Sequence, residues 1–131
     1  MKKTLTCIVC PNSCQLEIDI AELEDGTVSV LGVTGQTCTR GEKYAQQEII
    51  DPRRNIATSV AVIGGAAPLV SVRLTSPIPK GRIFDAMDEI KKCVVTAPIT
   101  AGTVIIHQIL GHDSDVIATK SIPSLAIDRQ P

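Results

Sequence analysis

Aromatic side chains are nearly missing from this sequence. Its 131 residues include no tryptophan, one tyrosine (Tyr44) and one phenylalanine (Phe84). Proteins that stack nucleobases or sugar rings need several flat side chains, so base-stacking platforms and carbohydrate shelves are excluded. A surplus of positive charge is missing too: 13 Lys and Arg face 14 Asp and Glu, for a formal charge of -1. Without spare cations to displace counterions from phosphates, no nucleic-acid partner is expected. No long apolar run exists either. The longest, residues 60–72, is broken by Gly64, Gly65, Pro68 and Ser71, and falls short of the roughly 20 residues that cross a bilayer. Lys2 and Lys3 imitate the start of a signal peptide, but the apolar residues after them stop at Pro11-Asn12. A cytoplasmic protein with no membrane span is expected. The sequence also lacks a Ser-His-Asp set, a recognisable carboxylate pair and a nucleotide fingerprint, so a self-contained catalytic site is not expected.

Cysteine is what the sequence does have. Cys7, Cys10, Cys14 and Cys38 lie in the first third, and Cys93 stands apart. In a reducing compartment such a set points to metal ligation or redox chemistry before disulfides. The pattern is C-x2-C-x3-C, a gap, then the fourth cysteine. Pro11 fixes one backbone angle, and Asn12 and Ser13 favour turns, so a tight loop can aim three thiols at one centre. Structural zinc sites pair two short knuckles with two ligands each. A three-plus-one split suits the corners of a [4Fe-4S] cubane better, where each iron takes one thiolate. One [4Fe-4S] cluster on Cys7, Cys10, Cys14 and Cys38 is therefore the expected cofactor. Zinc on the same four residues is the alternative, and a Cys7/Cys10 dithiol ranks third. The plain reading, in which some of these cysteines are buried small hydrophobes, accounts poorly for their ligand-like spacing.

The residues around the fourth cysteine support the same centre. Leu16, Ile18 and Ile20 alternate with Gln15, Glu17 and Asp19 as in a half-buried strand. Asp25-Gly26 signals a hairpin turn, Val28, Val30 and Leu31 begin the return strand, and Gly32 and Gly35 end it. That hairpin returns Cys38 to the first loop. A helix from about residue 42 to residue 50 follows. Gly41 lets backbone amides approach a sulfur-rich group, and Arg40 together with the positive helix end offsets thiolate charge. A solvated surface role for Arg40 remains the alternative.

Residues 7–54 resemble the N-terminal [4Fe-4S] domain of molybdopterin-dependent oxidoreductases. The likeness rests on the C-x2-C-x3-C loop, the Asp25-Gly26 turn, the Cys38/Arg40/Gly41 step and, loosely, Asp51-Pro52-Arg53-Arg54. The chain is far too short for a molybdopterin domain, so molybdenum chemistry does not transfer. The whole chain is similar to a small bacterial CxxC-motif family, domain of unknown function 1667. That second likeness rests on Cys7 to Cys38, the Pro77-Ile78-Pro79-Lys80 step, the helix after it, and Ala97-Pro98 leading to Gly102 and residues 104–106. It implies partners among flavin-dependent dehydrogenases of the glycerol-3-phosphate type and NAD-linked flavoprotein oxidoreductases, and hence an electron-transfer subunit of an oxidoreductase complex. A zinc-stapled, non-redox scaffold or partner-binding module is the alternative function.

The rest of the chain carries less chemistry. Residues 57–63 and 69–74 read as strands joined at Gly64-Gly65, a hairpin turn rather than a phosphate loop, since no further glycine fingerprint completes it. Residues 76–80 read as an extended connector. Residues 82–92 read as a helix with Ile83, Phe84, Met87 and Ile90 on one core-facing stripe. Cys93 is expected to be a small buried residue. Residues 94–97, 103–110 and 116–119 read as strands, with His107 structural and His112, Asp113 and Asp115 in a polar loop. Ser121 to Pro131 reads as an undefined tail that docks on a partner. The expected fold is α+β: a cysteine-rich, cluster-binding lobe over 1–50 with a β-hairpin and a helix, then a β-rich α+β lobe over 51–131.

Overall fold

The computed structural model describes residues 1–125. Among them are ten strands and two α-helices, a mixed α+β fold. The described residues divide into two compact units, one of Met1–Arg53 and one from Arg54 onward.

In the first unit, β1 (Lys2–Thr6), β2 (Gln15–Glu22) and β3 (Val28–Thr34) form an antiparallel sheet in the order β1-β2-β3. The alternation in β2 sets its pleat: Leu16, Ile18 and Ile20 are buried and the residues between them are exposed. Burial of such a side chain contributes roughly 1.5–3 kcal/mol. The turn to β3 closes on Asp25, whose carboxylate accepts the Thr27 backbone N–H at 2.9 Å and the Thr27 hydroxyl at 2.5 Å. Those two bonds hold the Asp25 carboxyl below its ordinary range. Gly26 takes the positive φ of 81° that the turn requires.

Gly32 does not end the return strand. The register slips there, with Asp19 opposite Gly32 and Ile20 opposite Val30, so Leu31 is the extra residue of a bulge and is 71% exposed. Helix α1 (Thr39–Ile50) begins directly after Cys38, three residues before the expected start. Gly41, Tyr44, Ala45 and Ile49 form its inward stripe, at i, i+3, i+4 and i+8. Strand β1 was not anticipated. Only Leu5 on it is part-buried, so it carries no alternation to read, and pairing with β2 is what makes it a strand.

The second unit is built on a five-stranded mixed sheet. After the two-residue strand β4 (Arg53–Arg54) come β5 (Ala57–Ile63), β6 (Leu69–Leu74) and β7 (Ile78–Pro79). Helix α2 (Ile83–Lys91), β8 (Val94–Thr96), β9 (Val104–Ile106) and β10 (Val116–Ala118) follow. The sheet order is β8-β5-β6-β10-β9; β5 and β8 are parallel and the other pairs antiparallel. Val60, Val70, Val72, Leu74, Val116 and Ala118 line its inner face, packed with Ile78, Ala86, Ile90 and Ile109.

Phe84 is a correction: it is 82% exposed. The inward stripe of α2 is Ile83, Ala86, Met87 and Ile90, and Phe84, a 100° step on from Ile83, falls outside it. Residues 107–110, read as strand, leave the sheet because Gln108 and Leu110 adopt positive φ values of 46° and 53°. Cys93 is half-buried against the core rather than fully enclosed. The tail is corrected at its start. Ile122 is buried and exchanges backbone hydrogen bonds with Ile99, and the Leu125 N–H donates to the Gly64 carbonyl. Residues 126–131 of that expected tail lie outside the described residues.

Candidate functional site

The sheet of the first unit decides where the cysteines sit. Strand β1 ends at Thr6 and β2 begins at Gln15, so Cys7 to Cys14 is the connection between two paired strands. The Cys7 N–H donates to the Cys14 carbonyl at 2.8 Å and closes this loop at its neck. Next to it, the Gln15 carboxamide donates to the Thr6 hydroxyl at 3.0 Å. Ser13 takes a left-handed φ of 50°, which turns the chain back toward β2. Inside the loop, Ile8 and Val9 are exposed.

Strand β3 ends on the same side, because Thr34 pairs opposite Glu17 near the start of β2. Gly35 then passes against Gln15. With φ at 91°, a Cβ there would lie 2.1 Å from the Gln15 carbonyl oxygen, so only glycine fits. This close passage delivers Gln36, Thr37 and Cys38 to the neck of the loop. The Thr37 hydroxyl lies 3.4 Å from the Cys14 sulfur. Gly41, in the first turn of α1, faces Cys7: a Cβ built on Gly41 would lie 3.9 Å from the Cys7 sulfur and 3.1 Å from the Gln36 Cβ. The Gln36 Oε1 is buried with no hydrogen-bond partner.

Cys38 is the residue just before α1, in extended conformation (φ -150°, ψ 165°). Its side chain closes no capping hydrogen bond. The Gly41 amide, then the Arg40 amide, and then the Arg40 side chain nevertheless favour the thiolate and lower the Cys38 thiol from its ordinary range.

Cys7, Cys14 and Cys38 are thus brought to one end of the sheet, while Cys10 lies on the bend of the loop. Cys7 is buried, Cys10 and Cys14 are half-buried, Cys38 is exposed, and all are free thiols. Among the described residues, no three or more His, Cys, Asp or Glu side chains are drawn together so as to hold a metal ion. Four thiols divided between one loop and one helix start fit, in number and chemistry, a tetrathiolate zinc or a [4Fe-4S] cluster. A surface depression of 310 Å³ lies along α1, lined by Lys43, Gln46, Gln47, Ile50 and Asp51, and contains no thiol.

Two polar arrangements were not singled out from the sequence. One is Thr37 at the Cys14 sulfur; a threonine beside a cysteine carries no signal until the fold supplies the contact. The other pairs the His107 Nδ1 with the Asp115 carboxylate at 3.0 Å, and that same oxygen accepts the Gln108 N–H at 2.9 Å. Both residues of this pair are in the second unit, where Asp113 and His112 sit in the intervening loop. The His112 Nε2 there is buried without a partner.

A family model described as "protein of unknown function (DUF1667)" matches residues 39–120. The chain belongs to this DUF1667 family. The matched span opens one residue after Cys38, so the four N-terminal cysteines precede it. No curated relative matches the chain. Among solved structures, the NMR structure of Clostridium perfringens protein CPE0013 is similar, with a TM-score of 0.52 and 20% identity. The match covers 60% of this chain and 94% of that one, and is a likeness of fold. No helix among the described residues is long and apolar enough to cross a membrane.

Proposed function

We propose that Cys7, Cys10, Cys14 and Cys38 hold one [4Fe-4S] cluster, and that this DUF1667 protein is a cytoplasmic electron-transfer subunit serving a flavin-dependent dehydrogenase complex. The observation that carries the reading is Cys38. It is a thiol favoured as thiolate by the Gly41 and Arg40 amides, set at the end of the sheet where Cys7 and Cys14 flank the loop. A metal or cluster ligand must be a thiolate, so a site that lowers the proton affinity of one thiol is already biased toward ligation.

When bound, the cluster supplies one-electron transfer between a flavin-bearing partner and a second acceptor. The chain's own residues supply the surroundings. Cys7 is buried beneath α1, which limits water at one ligand. Gly41 leaves room for sulfur close to the helix backbone. Arg40 adds positive charge beside Cys38. The flavoprotein partner, of the glycerol-3-phosphate dehydrogenase type or an NAD-linked oxidoreductase, follows from the family resemblance and the one-electron chemistry.

The experiment is a cysteine series made without oxygen. Serine in place of Cys7, Cys10, Cys14 or Cys38 is expected to abolish or degrade bound iron and sulfide, while Cys93→Ser leaves both at the wild-type level. Unchanged iron and sulfide in Cys14→Ser would contradict the four-cysteine assignment. One zinc and no sulfide in the wild type would replace the relay with a stapled, non-redox module.

A further inference from the structure

Of the two residues directly before Cys38, Thr37 is the one that touches a sulfur. Thr37 meets the Cys14 sulfur at 3.4 Å, within sulfur hydrogen-bond distance. A thiolate has no proton to give, so once Cys14 is ligated the Thr37 hydroxyl becomes the donor and Cys14 the acceptor. Gln36 packs at Gly41, at the point the Cys7 sulfur also approaches. Its Oε1 is buried and unpartnered, a costly state for a polar atom. It makes no hydrogen bond to a sulfur, so Gln36 packs beside the site without bonding to it.

We infer that Thr37 is the positioning residue that tunes the sulfur-ligated group, by donating a hydrogen bond to the Cys14 sulfur. This rests on the four-thiolate reading above. A hydrogen bond to a ligating sulfur draws electron density from it and stabilises the more negative, reduced state, so losing the bond lowers the reduction potential.

The test compares Thr37→Val and Thr37→Ser with the wild type in the full-length protein isolated without oxygen. Thr37→Val keeps the shape and removes the hydroxyl. With iron and sulfide unchanged, the midpoint potential is expected to fall in Thr37→Val and to stay near wild type in Thr37→Ser. An unchanged midpoint in Thr37→Val overturns the inference and leaves the cluster reading standing. If the protein holds zinc instead, the same variants are read after cobalt substitution. The thiolate-to-cobalt charge-transfer band is then expected to shift in Thr37→Val and not in Thr37→Ser, which keeps the inference while the cluster reading fails. An unshifted band overturns both. A wild-type chain that binds neither iron–sulfur nor zinc also overturns both.

Discussion

A thiol becomes a ligand only as its thiolate, so at the scale of single residues the local field decides which cysteine acts first. At Cys38 that field comes from the Gly41 amide, then the Arg40 amide, then the Arg40 side chain. A lowered folded-state pKa stabilises the fold above the ordinary thiol range, and that stabilisation is lost as pH falls through the lowered value. The same shift makes Cys38 reactive at lower pH. In metal-free protein, iodoacetamide labelling of the Cys38 peptide, followed by mass spectrometry, is expected to show a midpoint below that of free cysteine. Arg40→Ala is expected to raise the midpoint only part-way, because the Gly41 amide remains. A midpoint equal to that of free cysteine would remove the electrostatic argument. The spacing of Cys7, Cys10, Cys14 and Cys38 was legible in the sequence. The contacts of Cys14 with Thr37 and of Cys7 with Gly41 were not, since they depend on how β3 leaves the sheet.

At the scale of elements, that exit is set by one residue. Gly35 combines a φ of 91° with a contact that a Cβ would bring to 2.1 Å from a backbone oxygen, whereas Gly26, at 81°, faces open space. Gly26→Ala therefore carries only the left-handed backbone cost, about 1–2 kcal/mol. Gly35→Ala adds a backbone collision and is expected to cost more, roughly 3 kcal/mol or above, by chemical denaturation. Equal losses at the two sites would mean that β3 can leave β2 by another path.

Helix α2 offers a second contrast. Phe84 is exposed and Ile90 is buried in the core. Phe84→Ala is expected to change stability by no more than about 0.5 kcal/mol, while Ile90→Ala costs about 2–5 kcal/mol. A loss at Phe84→Ala as large as that at Ile90→Ala would restore the stripe read from sequence. Strands with clear alternation, β2, β5 and β6, were legible because period-two burial writes itself into the side chains. The α2 stripe was misread because an apolar Phe84 next to Ile83 looks inward until the helix start fixes the phase. Strand β1 and the bend after Ile106 left no such mark, since partner pairing and positive φ at Gln108 and Leu110 made them.

At the scale of the whole molecule, the α+β class and the DUF1667 family were both legible. The four proposed ligands lie outside the family's matched span, which opens at Thr39 and takes in α1 and most of the described second unit. The three-plus-one cysteine spacing and the topology of the first unit therefore carry the functional claim together. The fold brings Cys7, Cys14 and Cys38 to one sheet end and leaves Cys10 on the loop bend.

The most direct test is iron, acid-labile sulfide and zinc measured on wild-type protein purified without oxygen, with EPR after reduction. About four iron and four sulfide per chain, with a reduced-cluster signal, is the predicted result, as one cubane on four thiolates requires. Iron and sulfide absent from such a preparation, with or without zinc, would contradict the electron-transfer account.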